Sequence, residues 1–161
     1  MNNDALLKEF DQEMKTTRRL LERVPDGKPD WKPHPKSFSL AHLAQLVARM
    51  PGWFPQMLEH DVLDLAGAPK YSNESSATLL REFDDGVARG RAAIAAMTDA
   101  MWGEPWSLKA GAQVLMTMSR AEVTRQTMSH LVHHRAQLGV YLRLLDVPVP
   151  SMYGPTADEH W

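Results

Sequence analysis

Cysteine is absent from this sequence, and its absence excludes more chemistry than any other feature. Without it the chain has no disulfide, no thiolate zinc site, no cysteine nucleophile and no iron–sulfur cluster. Histidine then becomes the main candidate ligand for transition metals near neutral pH, with carboxylate as the alternative. The chain contains seven histidines. Any metal chemistry of this protein must therefore be sought around them.

A basic surplus and long apolar runs are also missing. The 18 Lys and Arg residues are balanced by 20 Asp and Glu, for a net charge of −2, whereas a nucleic-acid backbone calls for a basic surface. No run approaches the ~20 apolar residues that cross a membrane. The N-terminal residues lack the basic and apolar regions of a signal peptide. We expect a cytoplasmic protein with no nucleic-acid or membrane partner.

What the sequence does contain is helical periodicity. Apolar residues recur at spacings of three and four in four long segments. We expect helices over residues 4–24, from the cap Ser39 onward with an interruption at residues 51–52, from residue 75 or 76 to 97, and from the cap Ser119 to 145.

Two connections depart from this pattern. Residues 28–38 contain too many prolines for a helix, and residues 106–108 and 114–118 could form a short hairpin around Gly111. The length of 161 residues suits a single domain over residues 1–161. The predicted fold class is all-α, a four-helix bundle with irregular inserts and a short hairpin before the last helix.

A pair of histidines occupies the middle of the last predicted helix. His130 and His134 are four residues apart, so they project about 40° apart on one face. Two imidazoles so placed can both reach one metal ion at about 2.0–2.1 Å. His134 lies on the apolar stripe with Leu131 and Leu138, His130 lies at its margin, and His133 turns toward the polar side.

A third histidine is predicted to point into the same core. His42 stands one turn before Leu46, beside the stripe of Leu43 and Val47. Three histidines from two helices could hold one divalent ion and leave positions open, which is typical of a catalytic site. Zinc, nickel and iron(II) all suit this ligand set. The competing interpretation is that these are hydrogen-bonded core histidines with no ligand role.

Two further residues share the face of the histidine pair. Gln137 could orient a ligand or a bound water, and Tyr141 could donate a proton if it faces a cavity. They are the candidate catalytic residues. The remaining histidines outside the last helix are expected in solvent: His34, His60 and His160.

The last helix and its tail resemble a known family. The string His-His-Arg-x-Gln-Leu-x-x-Tyr-Leu-Arg that begins at His133, and the tail over residues 147–155, are similar to the DinB/YfiT-like metalloenzymes, which are unrelated to the DNA polymerase of that name. Residues 39–43 and 51–53 match the same family more loosely.

The resemblance implies more than the spacing does. It implies an up-down-down-up course of the four helices, a homodimer, and a divalent metal held by His42, His130 and His134. Characterised relatives include thiol-dependent transferases and a mycothiol-dependent maleylpyruvate isomerase. We therefore expect a metal-dependent enzyme that joins a low-molecular-weight thiol to an electrophilic small molecule.

Two alternatives stay open at this point. A hydrolase would use the same three ligands to activate water. A non-enzymatic helical binding or dimerisation module would use the histidines, or a metal, only to brace the bundle. The first predicts an open coordination position beside a cavity, and the second predicts a closed site.

Overall fold

Five α-helices and a small sheet make up the described part of the chain. The structure, a computed structural model, describes residues 2–160. The helices are α1 (Asn3–Leu21), α2 (Leu40–Arg49), α3 (Trp53–Glu59), α4 (Ser76–Ala96) and α5 (Arg120–Leu144), and the strands are β1 (Val62–Asp64), β2 (Pro105–Ala110) and β3 (Gln113–Ser119).

Local capping signals account for where the long helices begin. The side chains of Ser39, Ser75 and Ser119 each accept a hydrogen bond from the backbone three residues on, which satisfies an otherwise free N–H of the first turn. The predicted cap at Ser119 is confirmed, and Glu122 completes a capping box there by accepting from the backbone N–H of Ser119. Helix α1 ends at Leu21, three residues before the predicted end.

The helices enclose one apolar core. Helix α1 packs against α4 and α5, and α2 also packs against α4 and α5. Phe10, Phe54 and Phe83 are fully or almost fully buried among aliphatic side chains of all five helices. This core fixes the two elements that carry the predicted ligands, α2 and α5, relative to each other.

The all-α prediction of an up-down-down-up four-helix bundle is wrong, because the protein contains a mixed three-stranded sheet in the order β1-β2-β3. Strands β2 and β3 form an antiparallel hairpin, and β1 adds to β2 in parallel. Trp106 of β2 is buried, so one face of the sheet joins the core. A strand of three residues such as β1 is too short to show a period of two in the sequence.

Two glycines of α4 allow a very close approach to the break between α2 and α3. A Cβ on Gly86 would lie 2.9 Å from the backbone N of Gly52, and one on Gly90 would lie 2.8 Å from the carbonyl O of Pro51. The absence of side chains at these two glycines therefore permits the close packing of α4 against the break. Within residues 2–160 no helix is both long and apolar enough to cross a membrane.

Candidate functional site

The histidine pair of α5 is assembled as its spacing predicts. The Nε2 atoms of His130 and His134 lie 2.8 Å apart, with the ring centroids 4.6 Å apart. His134 is 9% exposed and faces the core, whereas His130 is exposed at the edge of the helix. The ring of Trp53 from α3 contacts His130 at a centroid distance of 5.9 Å.

Gln137 holds His134 in one tautomer. Its side-chain Oε1 lies 2.7 Å from Nδ1 of His134, and its Nε2 lies 3.1 Å from Nε2 of His133. Because an amide oxygen only accepts, Nδ1 of His134 donates the hydrogen and Nε2 keeps a lone pair. That lone pair faces His130.

His42 does not join the pair directly. Its ring is stacked between Phe38, at a centroid distance of 4.2 Å, and Tyr71, at 3.8 Å. Phe38 also contacts His134 at 6.3 Å, so the two histidines share this aromatic neighbour. In residues 2–160 no three His, Asp or Glu side chains are grouped closely enough to hold a metal ion.

The loop that carries Tyr71 is fixed by a buried amide. Gln45 of α2 is fully buried. Its Oε1 accepts from the backbone N–H of Ser72 at 2.9 Å, and its Nε2 donates to the hydroxyl of Ser72 at 3.1 Å. Tyr71, the preceding residue, is thereby held against His42.

Burial and neighbouring charge favour neutral imidazoles here. Burial lowers the pKa of His42, and the charges of His134 and Lys32 lower it further. Burial likewise lowers the pKa of His130, assisted by His134 and His133. Neutral imidazole is the form that binds metals.

A cleft opens beside His134. It has a volume of about 380 Å³ and is lined by Lys36, Ser37, Phe38, His134, Gln137, Val140 and Tyr141. The Tyr141 hydroxyl donates to the carbonyl O of Phe38 at 3.2 Å. Both candidate catalytic residues therefore line the cleft. A larger hollow of about 560 Å³ lies near the start of α1, and none of the described residues that line it is a histidine.

Comparison with known families identifies the chain. The family model described as DinB family matches residues 1–161. The chain belongs to the DinB family. No curated protein sequence matches it significantly.

Solved structures share the fold of this DinB-family protein. A DinB-like protein of Bacillus cereus ATCC 10987 is 16% identical, with a TM-score of 0.68 over 93% of this chain and 97% of its own. A DinB-like protein of Bacillus subtilis is also 16% identical, with a TM-score of 0.71 over 92% and 97%.

A third structural relative is an enzyme. It is a mycothiol-dependent maleylpyruvate isomerase, 14% identical, with a TM-score of 0.61 over 86% of this chain. This DinB-family protein spans 61% of the length of the isomerase. At such identities the similarity concerns the fold.

The donor chemistry of the α5 pair fits a metal ion. Two imidazole nitrogens that bind one ion at about 2.1 Å lie about 3.0–3.4 Å apart, close to the 2.8 Å between His130 and His134. A ligand histidine that donates its other N–H to an oxygen is the usual arrangement around metals, and His134 with Gln137 has it. His42 would complete a three-histidine set only after its ring turns out of the aromatic stack.

Sequence reasoning missed several residues of this site in the DinB-family protein. Phe38 stands four residues before His42, and that spacing across a helix start could have indicated the contact. Tyr71 and Lys36 lie outside the α-helices and strands, so no periodicity could have pointed to them. Their positions depend on long-range contacts.

Proposed function

We propose that this DinB-family protein is a metal-dependent enzyme that transfers the sulfur of a low-molecular-weight thiol to an electrophilic small molecule. The single observation that carries the proposal is the array of His130, His134 and Gln137 beside an open cleft. The structural relative named as a mycothiol-dependent isomerase adds support for the thiol.

Each residue has a defined part in this proposal. His134, and His130 in the tautomer that carries its hydrogen on Nδ1, would offer Nε2 lone pairs to a zinc, nickel or iron(II) ion, and His42 would serve as the third ligand. Bound there, such an ion would supply Lewis acidity that lowers the pKa of a thiol. Gln137 keeps Nδ1 of His134 protonated. Tyr141 places its hydroxyl at the cleft, where it can pass a proton to the substrate.

A hydrolase that uses the same ligands to activate water is the second candidate. The open cleft favours either enzyme over a module in which a metal only braces the helices, because a bracing site is closed by protein ligands. Two further expectations, the homodimer and the cytoplasmic location, stay predictions.

Metal analysis and a conjugation assay together test the proposal. Protein purified without added metal is analysed for zinc, nickel and iron. It is then assayed for coupling of glutathione to chlorodinitrobenzene, in which a carbon–sulfur bond forms and chloride leaves. We expect bound metal, coupling that stops with a chelator, and at least a tenfold loss of metal affinity in His130→Ala.

His60→Ala is the matched control, because His60 is exposed and lies outside the cleft. It should keep wild-type metal content and coupling. Protein that contains no metal and takes none up would contradict the proposal. Metal binding with ester hydrolysis in place of coupling would favour the hydrolase.

A further inference from the structure

The described lining of the cleft beside His134 carries a positive charge and no negative charge. Lys36 is the one lysine or arginine in its lining, and none of the described lining residues is Asp or Glu. A protein with a net charge of −2 therefore presents a cationic cleft at its candidate site.

Lys36 is also free to bind a ligand. Every ion pair formed within residues 2–160 uses an arginine, so no carboxylate of that part of the chain neutralises Lys36. An ammonium group already bound to a carboxylate would have to give up that contact to bind a ligand. Among the described residues, Lys36 has no carboxylate contact to lose.

The backbone that carries Lys36 is held in place. Its N–H donates to Nδ1 of His34 at 3.2 Å, and the N–H of Ser37 donates to the carbonyl O of His34 at 2.9 Å. The Tyr141 hydroxyl ties Phe38 to α5. The turn that presents Lys36 is thus attached to the same helix that carries His134.

The rest of the cleft offers an apolar wall and hydroxyl groups. Phe38 and Val140 are exposed there, and the ring of Tyr141 is backed by Trp31 at a centroid distance of 5.4 Å. Ser37, the residue after Lys36, also lines the cleft. A volume of about 380 Å³ exceeds the ~150 Å³ that already holds a benzene ring.

We infer that the substrate of this cleft is a small organic carboxylate, with its anionic group on Lys36 and its apolar part against Phe38, Val140 and Tyr141. The inference rests on the proposed function for the reaction itself. The preference of the cleft for an anion, in contrast, depends only on residues of the chain and not on a bound metal ion. An ion pair at a partly exposed site contributes about 1 kcal/mol, or roughly a fivefold change in affinity.

Benzoate and benzamide are suitable probes because they have the same shape and differ in charge. Both are titrated into chelator-treated protein, and the side-chain amide signals of Gln137 are followed by NMR. We expect benzoate to bind about fivefold more tightly than benzamide. Lys36→Met should abolish this preference, Lys36→Arg should keep it, and Lys15→Met should leave it unchanged, since Lys15 is exposed on α1 outside the cleft.

The outcomes separate this inference from the proposed function. Equal binding of both probes, or a benzoate preference that survives Lys36→Met, overturns the inference whatever the metal content. A preference seen only after metal is added also overturns it, because the carboxylate then binds the ion and not Lys36. A preference for benzoate in a protein that takes up no metal supports the inference while the metal-dependent function fails.

Discussion

Arg135 is the most deeply buried charged side chain of the protein, at 1% exposure. Its Nη1 lies 2.6 Å from Oε2 of Glu13 and donates to the carbonyl O of Glu13 and the hydroxyl of Thr17, each at 3.1 Å. Tyr153 covers the guanidinium at 5.2 Å and donates its own hydroxyl to Oε1 of Glu13 at 2.9 Å. These contacts join α1, α5 and the C-terminal tail.

Removal of Arg135 alone should be costly. We expect Arg135→Met to lower the free energy of unfolding by about 3–5 kcal/mol, because it leaves the carboxylate of Glu13 buried without a counter-charge. The double variant Glu13→Leu/Arg135→Met should recover most of this loss. Urea denaturation measures both, and a single variant that loses less than about 1 kcal/mol would contradict the role assigned to the pair.

A second prediction about a single residue concerns Gln137. Gln137→Leu should weaken binding of zinc or cobalt by about 10–100-fold, because it removes the acceptor that fixes the tautomer of His134. Competition with a chromophoric chelator gives the affinity. Gln126→Leu, an exposed change on the same helix, is the control and should bind metal as the wild type does. Equal affinity in the two variants would show that Gln137 does not orient the ligand.

Among the helices, α4 makes a very close contact with the segment between α2 and α3. Proline and glycine at 51–52 break the helical run, and the backbone of this break meets Gly86 and Gly90. Neither glycine has a positive φ. What excludes a side chain at these positions is space, not backbone conformation.

Alanine substitutions should separate the steric cost of an added Cβ from the gain in helix propensity. Gly86→Ala and Gly90→Ala place a Cβ within 3 Å of backbone atoms and should destabilise the protein by about 1–3 kcal/mol despite the better propensity of alanine. A Cβ at Gly139 in α5 would meet side-chain atoms only at ordinary van der Waals distances, namely the flexible end of Met152 at 3.5 Å, Val149 at 3.9 Å and Leu20 at 4.0 Å. Gly139→Ala should be neutral or stabilising by up to about 1 kcal/mol. Thermal unfolding of the three variants tests this order, and a stabilised Gly90→Ala would refute the close contact.

For the molecule as a whole, the C-terminal tail adds a second link between α1 and α5, which also pack against each other directly. Asp158 pairs with Arg143 and accepts from the N–H of Val149 at 2.8 Å. Glu159 pairs with Arg19 and accepts from the N–H of Ser151 at 2.8 Å. The tail therefore connects the end of α5 to α1.

These contacts make the docking of the tail depend on pH. The Arg143 contact and the Val149 N–H lower the pKa of Asp158, and the Ser151 N–H and Arg19 lower the pKa of Glu159. A carboxyl with a lowered folded-state pKa adds stability above its unfolded pKa, near 3.8 for Asp158 and 4.5 for Glu159, and loses it as the pH falls through the folded value.

The charge-free variant Asp158→Asn/Glu159→Gln should expose this dependence. We expect it to be less stable than the wild type at about pH 6, with the difference disappearing well below pH 4. Asp30→Asn, a change of an exposed loop carboxylate outside this network, serves as the control. Urea denaturation across this range measures the difference, and a difference that stays constant would argue against an ionised tail contact.

Much of the helical framework could be predicted from the sequence, because its determinants act within one or two turns. Ser39 and Ser119 cap helices through bonds to residues three positions on. The helical period likewise puts His130, His134 and Gln137 on one face. The family, too, could be recognised from residues 133–143, and the family match over residues 1–161 confirms it.

Tertiary structure alone decided the features that join distant segments. Strand β1 exists because residues 62–64 meet residues 107–109 of β2, and no local pattern encodes that pairing. The ring of His42 is placed by Phe38 and by Tyr71 from a separate loop, and Lys36 reaches the cleft because its turn is tied to α5. Spacing along a helix determines which side chains share a face, whereas packing of separate segments determines what that face meets.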